Sequence, residues 1–247
     1  MNDSTSATSP VWPTRWPANS FKGVWTWLLA GFIAFLFGLL FFASLNNQVP
    51  KNVDPIEFDA LLIVQFVLEG LLVAVVLLSL PRISKFSLRD LGLRLPTPSA
   101  LGIALAGAAA MVLVADGGAQ LIDNLVHSPH QQDIVQIFRG LHNPTTTVIF
   151  VIFAVLFAPL AEETFFRLLF FNLGLRYGGF WTGAVLSGVL FGIAHGDVFA
   201  AVPLALGGIV LCGVYYFSRN AFAPMISHAI FNGLSIVILL AFPKLTQ

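Results

Sequence analysis

Charge is what this chain lacks most. Its 247 residues hold 12 Lys and Arg and 12 Asp and Glu, 10% in all, against 57% hydrophobic residues. A water-facing domain carries about 25% charged residues, so too few are present to cover a soluble surface. The same balance excludes disorder, which needs a polar chain that cannot bury a core. The charges cancel to a formal net of zero, which removes the basic field of a nucleic-acid binder, and no nucleic-acid partner is expected. Cysteine is limited to Cys212, so neither a disulfide framework nor a cysteine-based zinc cluster can form. An integral membrane protein remains.

Long uncharged runs are what the chain has instead. Trp25 to Pro50, Leu95 to Ala115, Gly140 to Ala161, Tyr177 to Gly196, Val198 to Ser218 and Asn220 to Pro243 contain no Asp, Glu, Lys or Arg, and Ala60 to Pro81 contains only Glu69. A membrane-crossing helix needs about 20 apolar residues. Lipid offers no partner to a peptide group, so such runs span as helices or closed barrels. Continuous rather than alternating apolarity argues against the barrel. The expected fold is all-α: a polytopic transmembrane helix bundle of about seven spans, one domain over 25–247 behind a loose polar tail at 1–24. The first apolar run is about twice a signal-peptide core and lacks its cleavage pattern, so it is read as a span. Trp12, Trp16, Trp25 and Trp27 are read as an interfacial belt.

Basic residues set the expected orientation. With the N-terminus inside, Arg15, Lys22, Arg82, Lys85, Arg89, Arg94, Arg176 and Arg219 fall on inner segments and Lys51, Arg139 and Lys244 on outer ones, as the positive-inside rule requires. The loop from Pro81 to Pro98 then lies on the inner headgroups. Residues Asp116 to Thr147 read as an outer loop with a short amphipathic helix near Asp133–Leu141.

Polar residues inside spans are costly and mark function. They fall into three motifs and one isolated pair. In the first motif, Glu163 and Arg167 are i, i+4 and share a helix face, so they can pair. Glu162 is turned away by about 100° and left free; Pro159 just before it predicts a kink. The second motif runs from Phe191 to His195, beside Gly192 and Gly196. The third is His228 and Asn232, again i, i+4. Each histidine taken alone reads equally well as a helix–helix hydrogen-bonder. Counting at 1.5 Å per residue puts Glu162 and His195 both about 21 Å from the inner ends of their helices, but His228 and Asn232 only about 6–12 Å in. That mismatch demands a bent span or a funnel. The isolated pair, Gln65 and Glu69, lines either the same cavity or a helix contact.

Glu-Glu-x-x-x-Arg, Phe-x-x-x-His and His-x-x-x-Asn, each on its own apolar segment and in this order, resemble the CPBP family of intramembrane proteases, which includes the type II CAAX prenyl endopeptidases. The resemblance covers about 148–240, the expected catalytic half, and the stretch Ser87 to Arg94 is similar to the basic juxtamembrane segment of bacterial members. It implies an intramembrane endopeptidase acting on a membrane-associated, prenylated or other, peptide substrate; the short basic loops point to a bacterial cytoplasmic membrane. It also implies roles: Glu162 and His195 activate water, His228 and Asn232 stabilise the oxyanion, and Glu163 and Arg167 support them.

The chemistry is coherent. A carboxylate in a low-dielectric cavity is a usable general base near neutrality, and an aimed N–H donor contributes about 10²–10³ in rate. Ser187 and Ser227 lack a base at matching spacing, and Cys212 reads as inert core. Glu162, His195 and His228 are also a His₂Glu set of the kind that binds Zn²⁺. No His-Glu-x-x-His pair is present, so a reaction needing no cofactor is expected, with zinc the alternative. Two other classes stay open: a non-catalytic interaction or immunity protein on the same fold, and a proton-coupled transporter, since buried Glu and His also build relays.

Overall fold

The computed structural model describes residues 15–46, 55–126, 138, 141 and 143–241. Seven helices are described: α1 Val24–Asn46, α2 Pro55–Ser84, α3 Pro98–Val126, α4 Pro144–Gly178, α5 Phe180–Ala194, α6 Val198–Ser218 and α7 Phe222–Ala241. No strand occurs among the described residues. The chain is a transmembrane helix bundle.

Local chemistry sets the helix ends. Proline opens α2, α3 and α4, where its missing N–H costs nothing. Four polar side chains accept the orphan N–H groups at helix starts: Thr97 from Ala100, Asn143 from Thr145, Asp197 from Phe199 and Ala200, and Asn220 from Phe222. Between α2 and α3, the turn at Ser87 is closed by Asp90, whose Oδ2 accepts from the Ser87 hydroxyl at 2.6 Å. That bond holds the Asp90 carboxyl below the usual carboxylate range.

The span count is lower than expected. Five helices are long and apolar enough to cross a membrane: 62–84 of α2, 98–115 of α3, all of α4, α6 and α7. The run from Tyr177 to Gly196 yields only the 15 residues of α5. Gly179 and Gly196, at φ 79° and 70°, stop it at both ends in the left-handed region. At 1.5 Å per residue α5 is about 22 Å long, short of the membrane's hydrocarbon core. The described apolar part of α1, Val24–Leu36, is also short.

Two further expectations change. The segment read as an outer loop from Asp116 begins instead as the last turns of α3, which continues to Val126. The amphipathic helix near 133–141 lies almost wholly outside the described residues; Phe138, which is described, is buried against Phe150 with ring centroids 5.5 Å apart. The N-terminal segment is not loose where described. Trp16 and Phe21 are buried in the core, and the Trp16 indole donates to Asn172 on α4 at 2.8 Å. Arg176 donates to the Ala18 carbonyl and the Tyr177 hydroxyl to that of Phe21. Trp16 is therefore a core anchor rather than an interfacial residue, while Trp25 and Trp27 are exposed. Trp12 lies outside the described residues.

The α5–α6 hairpin is the tightest contact. Gly192 faces the Ala201 carbonyl so closely that no side chain fits between, and a Cβ on Gly188 would stand 2.6 Å from the Ala205 carbonyl. Close backbone approach through small residues is how membrane helices gain packing. Gly188→Ala is therefore expected to splay the hairpin that carries His195 and to destabilise the fold by about 1–3 kcal/mol, measured as a lower melting temperature in detergent; an unchanged melt would show that the hairpin relaxes freely.

Candidate active site

The site begins in α4, which is not a uniform α-helix. It widens to π geometry at Phe153–Phe157 and again at Thr164–Phe171, on either side of an α-helical turn that holds Pro159, Glu162 and Glu163. π turns leave the regular ladder and recur at functional sites. Side chains take up the displaced carbonyls. Asn172 donates to Arg167 O and Leu168 O, Thr164 to Leu160 O, and Ser187 of α5 to Phe166 O. Ser187 and, through Ala104 O, Ser227 are thus bound to backbone, and Cys212 is buried.

Glu163 and Arg167 form the buried heart of the site. Arg167 Nε lies 2.9 Å from Glu163 Oε2, with the two side chains 1% and 0% exposed. Arg167 Nη2 also donates to Gly208 O on α6 at 3.3 Å, and its guanidinium lies 4.8 Å from the Phe191 ring centre, a cation–π distance. Glu163 has a second partner that its sequence neighbours do not reveal: its Oε1 accepts from His228 Nδ1 on α7 at 3.0 Å.

Glu162, turned by about 100°, faces a partly open hollow. Its side chain is 25% exposed and that of His195 31%, against 4% for His228. Its Oε2 lies 4.0 Å from His195 Nε2 and 3.8 Å from His228 Nε2. Both rings are held from behind. His195 Nδ1 donates to Phe191 O at 2.8 Å and His228 Nδ1 to Glu163. A neutral imidazole with Nδ1–H committed presents a lone pair at Nε2. Phe191 is buried between them, its ring 4.7 Å from His195 and 5.6 Å from His228. The helical counts that put His228 too shallow assume straight, upright helices; α4 instead carries two π segments, and α5 is only 15 residues long.

Asn232 lies one turn beyond His228 on α7. Its amide donates to Ala154 O, in the first π segment of α4, at 2.9 Å. One amide N–H is used there, leaving the other.

The three lone-pair atoms also test zinc. Ligands about 2.0–2.1 Å from a tetrahedral ion stand about 3.4 Å apart, and the separations here are wider, 3.8 and 4.0 Å. A water about 2.8 Å from each partner spans them. Among the described residues no group of three or more His, Cys, Asp or Glu has a metal-holding arrangement.

Residues 144–234 match the family model of the type II CAAX prenyl endopeptidase, Rce1-like. That segment is Rce1-like in sequence. It contains Glu162, Glu163, Arg167, Phe191, His195, His228 and Asn232, so the resemblance carried by the three motifs holds. The chain is also similar to the membrane-embedded CAAX protease MroQ of Staphylococcus aureus, 27% identical over 124 residues, 47% of each chain. An uncharacterized protein of Mycoplasma capricolum is 31% identical over 124 residues, 48% of this chain and 36% of that one. The chain thus spans less than half the length of these relatives. No solved structure matches it.

A buried ion pair stripped of one partner leaves an uncompensated charge. Arg167→Met is expected to destabilise the protein by about 3–5 kcal/mol, and the double change with Glu163→Gln to recover part of that loss. Denaturant unfolding in mixed micelles measures both; additive losses would show that the pair carries no coupling.

Proposed function

We propose that this chain is an intramembrane endopeptidase that hydrolyses a peptide bond of a membrane-associated substrate. The observation that carries the reading is the convergence of Glu162 Oε2 with His195 Nε2 and His228 Nε2, at 4.0 and 3.8 Å, in a half-open hollow among apolar helices. Three acceptors face one another with no donor between them, and a water molecule supplies the missing hydrogens. Glu162 takes a proton from that water, and His195, fixed by its bond to Phe191 O, orients it. The water oxygen attacks the carbonyl carbon, and Glu162 returns the proton to the departing nitrogen.

The oxyanion is assigned to His228 and Asn232. For His228 the assignment rests on Nε2, which faces the hollow beside Glu162 while Nδ1 is held by Glu163. Asn232 contributes the amide N–H that Ala154 leaves unused. Zinc is not needed for any of these steps. By analogy with the CAAX proteases that the chain is similar to, the substrate is a prenylated C-terminal peptide in a bacterial cytoplasmic membrane, approached from the lipid.

The purified chain in proteoliposomes is expected to cleave a quenched farnesylated peptide ending in Cys-aliphatic-aliphatic-X. Glu162→Gln and His195→Ala abolish turnover, and Asn232→Ala lowers it by about 10²-fold. 1,10-Phenanthroline leaves the rate unchanged. Full activity in Glu162→Gln overturns the mechanism; chelator inhibition reversed by Zn²⁺ replaces it with a metal-dependent one. Biological function that survives Glu162→Gln without any peptide product favours the interaction or immunity protein.

A further inference from the structure

One carboxylate near the site has no place in the mechanism above. Glu69 is on α2, outside the segment matched by the family model. Gln65, one turn earlier, donates to Glu69 Oε1 at 3.0 Å. Glu69 Oε2 is buried and accepts no hydrogen bond. The packing of α2 on α4 places it. On either side of Glu69, Phe66 stacks on Phe157 of α4 with ring centroids 4.0 Å apart, and Gly70 faces the same ring. This turn of α2 therefore lies on α4 just ahead of Glu162. Ile63, Val64, Val67 and Leu68 around it are exposed, so Glu69 stands where the hollow meets the lipid.

The hydrogen-bond inventory states what is missing. Glu162 Oε2 and Glu69 Oε2 are both buried and unbonded, and His195 Nε2 beside Glu162 presents a lone pair. Burying acceptors without donors is unfavourable, so this wall is complete only when a ligand brings N–H or O–H groups. The attacking water brings two and is taken by Glu162 and His195. The donor left over on a peptide substrate is the N–H of the bond being cut.

We propose that Glu69 is a further substrate-binding residue of this site: its Oε2 accepts a hydrogen bond from the nitrogen of the scissile peptide bond and holds that nitrogen as it departs as an amine. The inference rests on the endopeptidase reading. In the step concerned, the water oxygen bonds to the carbonyl carbon, the C–N bond breaks, and the proton that Glu162 took from water passes to the nitrogen. The products are a carboxyl group and an amine. Glu69 neither gains nor loses a proton; an acceptor on the N–H makes the nitrogen a better base as it leaves. The substrate's amine side therefore lies toward α2, and its acyl side toward α7.

A substrate pair separates this role from a structural one. The probes are the quenched farnesylated peptide and its ester counterpart, in which oxygen replaces the scissile N–H, both assayed with the full chain in proteoliposomes. Glu69→Ala is expected to lower peptide turnover about 10–100-fold, and the isosteric Glu69→Gln, which keeps a weaker amide acceptor, to lower it less, while both leave ester turnover within about twofold of wild type, because the ester has no N–H to hold. Matching melting temperatures for Glu69→Gln and wild type exclude misfolding. Wild-type peptide turnover in both Glu69 variants, or equal losses on peptide and ester, overturns the assignment while leaving the endopeptidase reading intact. A wild-type chain that cleaves neither probe, like Glu162→Gln, takes both down.

Discussion

One buried carboxylate sets the arrangement of the motif helices. Glu163 is fully enclosed, and removing a charge from water costs several kcal/mol. The cost is offset only because each of its oxygens finds a charged or polarised donor: Oε2 meets Arg167 and Oε1 meets His228. Arg167 extends the constraint to the Gly208 carbonyl of α6 and to the Phe191 ring of α5. Four helices are thus fixed in register against a single side chain. An error of one residue in any of them would leave a charge unpaired in an apolar interior, a far larger penalty than a packing defect.

The irregular backbone of α4 follows from the same demand. A regular helix presents one narrow face to each neighbour, yet Glu162 and Glu163 both reach the His228 ring of α7, one at each ring nitrogen. Two π segments around a proline-containing turn change how that turn meets the helices beside it. The carbonyls they release are bound by Asn172, Ser187 and Asn232 from outside the ladder. Asn172 passes the connection on. It accepts from Trp16 and donates to the Tyr215 hydroxyl, which itself donates to Leu91 O in the α2–α3 loop. The N-terminal segment and that loop are therefore tied by short polar bonds to the helix that bears the glutamates.

Much of this was legible in the sequence, for identifiable reasons. Membrane helices declare themselves by missing charge. The Glu163–Arg167 pair follows from helical spacing alone, which is fixed by geometry. What the sequence hid is long-range or depends on backbone irregularity. The bond from His228 to Glu163 joins residues 65 apart. The early end of α5 depends on glycines at positive φ, where an apolar run gives no sign of stopping. Trp16 looked interfacial because nothing local announces that Asn172, 156 residues away, offers it an acceptor. Glu69 stood as a lone charge in a span, and only the stacking of Phe66 on Phe157 shows which neighbour it serves.

The contrast between Glu162 and Glu163 gives the arrangement its chemical meaning. The two are adjacent in sequence, identical in kind and differ by about 100° of rotation. Glu163 is met by donors and closed off from solvent. Glu162 is met by imidazole nitrogens that have already committed their N–H groups elsewhere, and it stays a quarter exposed. A group satisfied on every side cannot react, and one left in plain lipid would not stay ionised. Glu162 falls between these limits because its neighbours are fixed from behind: His195 by a backbone carbonyl and His228 by Glu163. In the proposed mechanism Glu163 therefore governs Glu162, since it holds the His228 ring that faces the hollow.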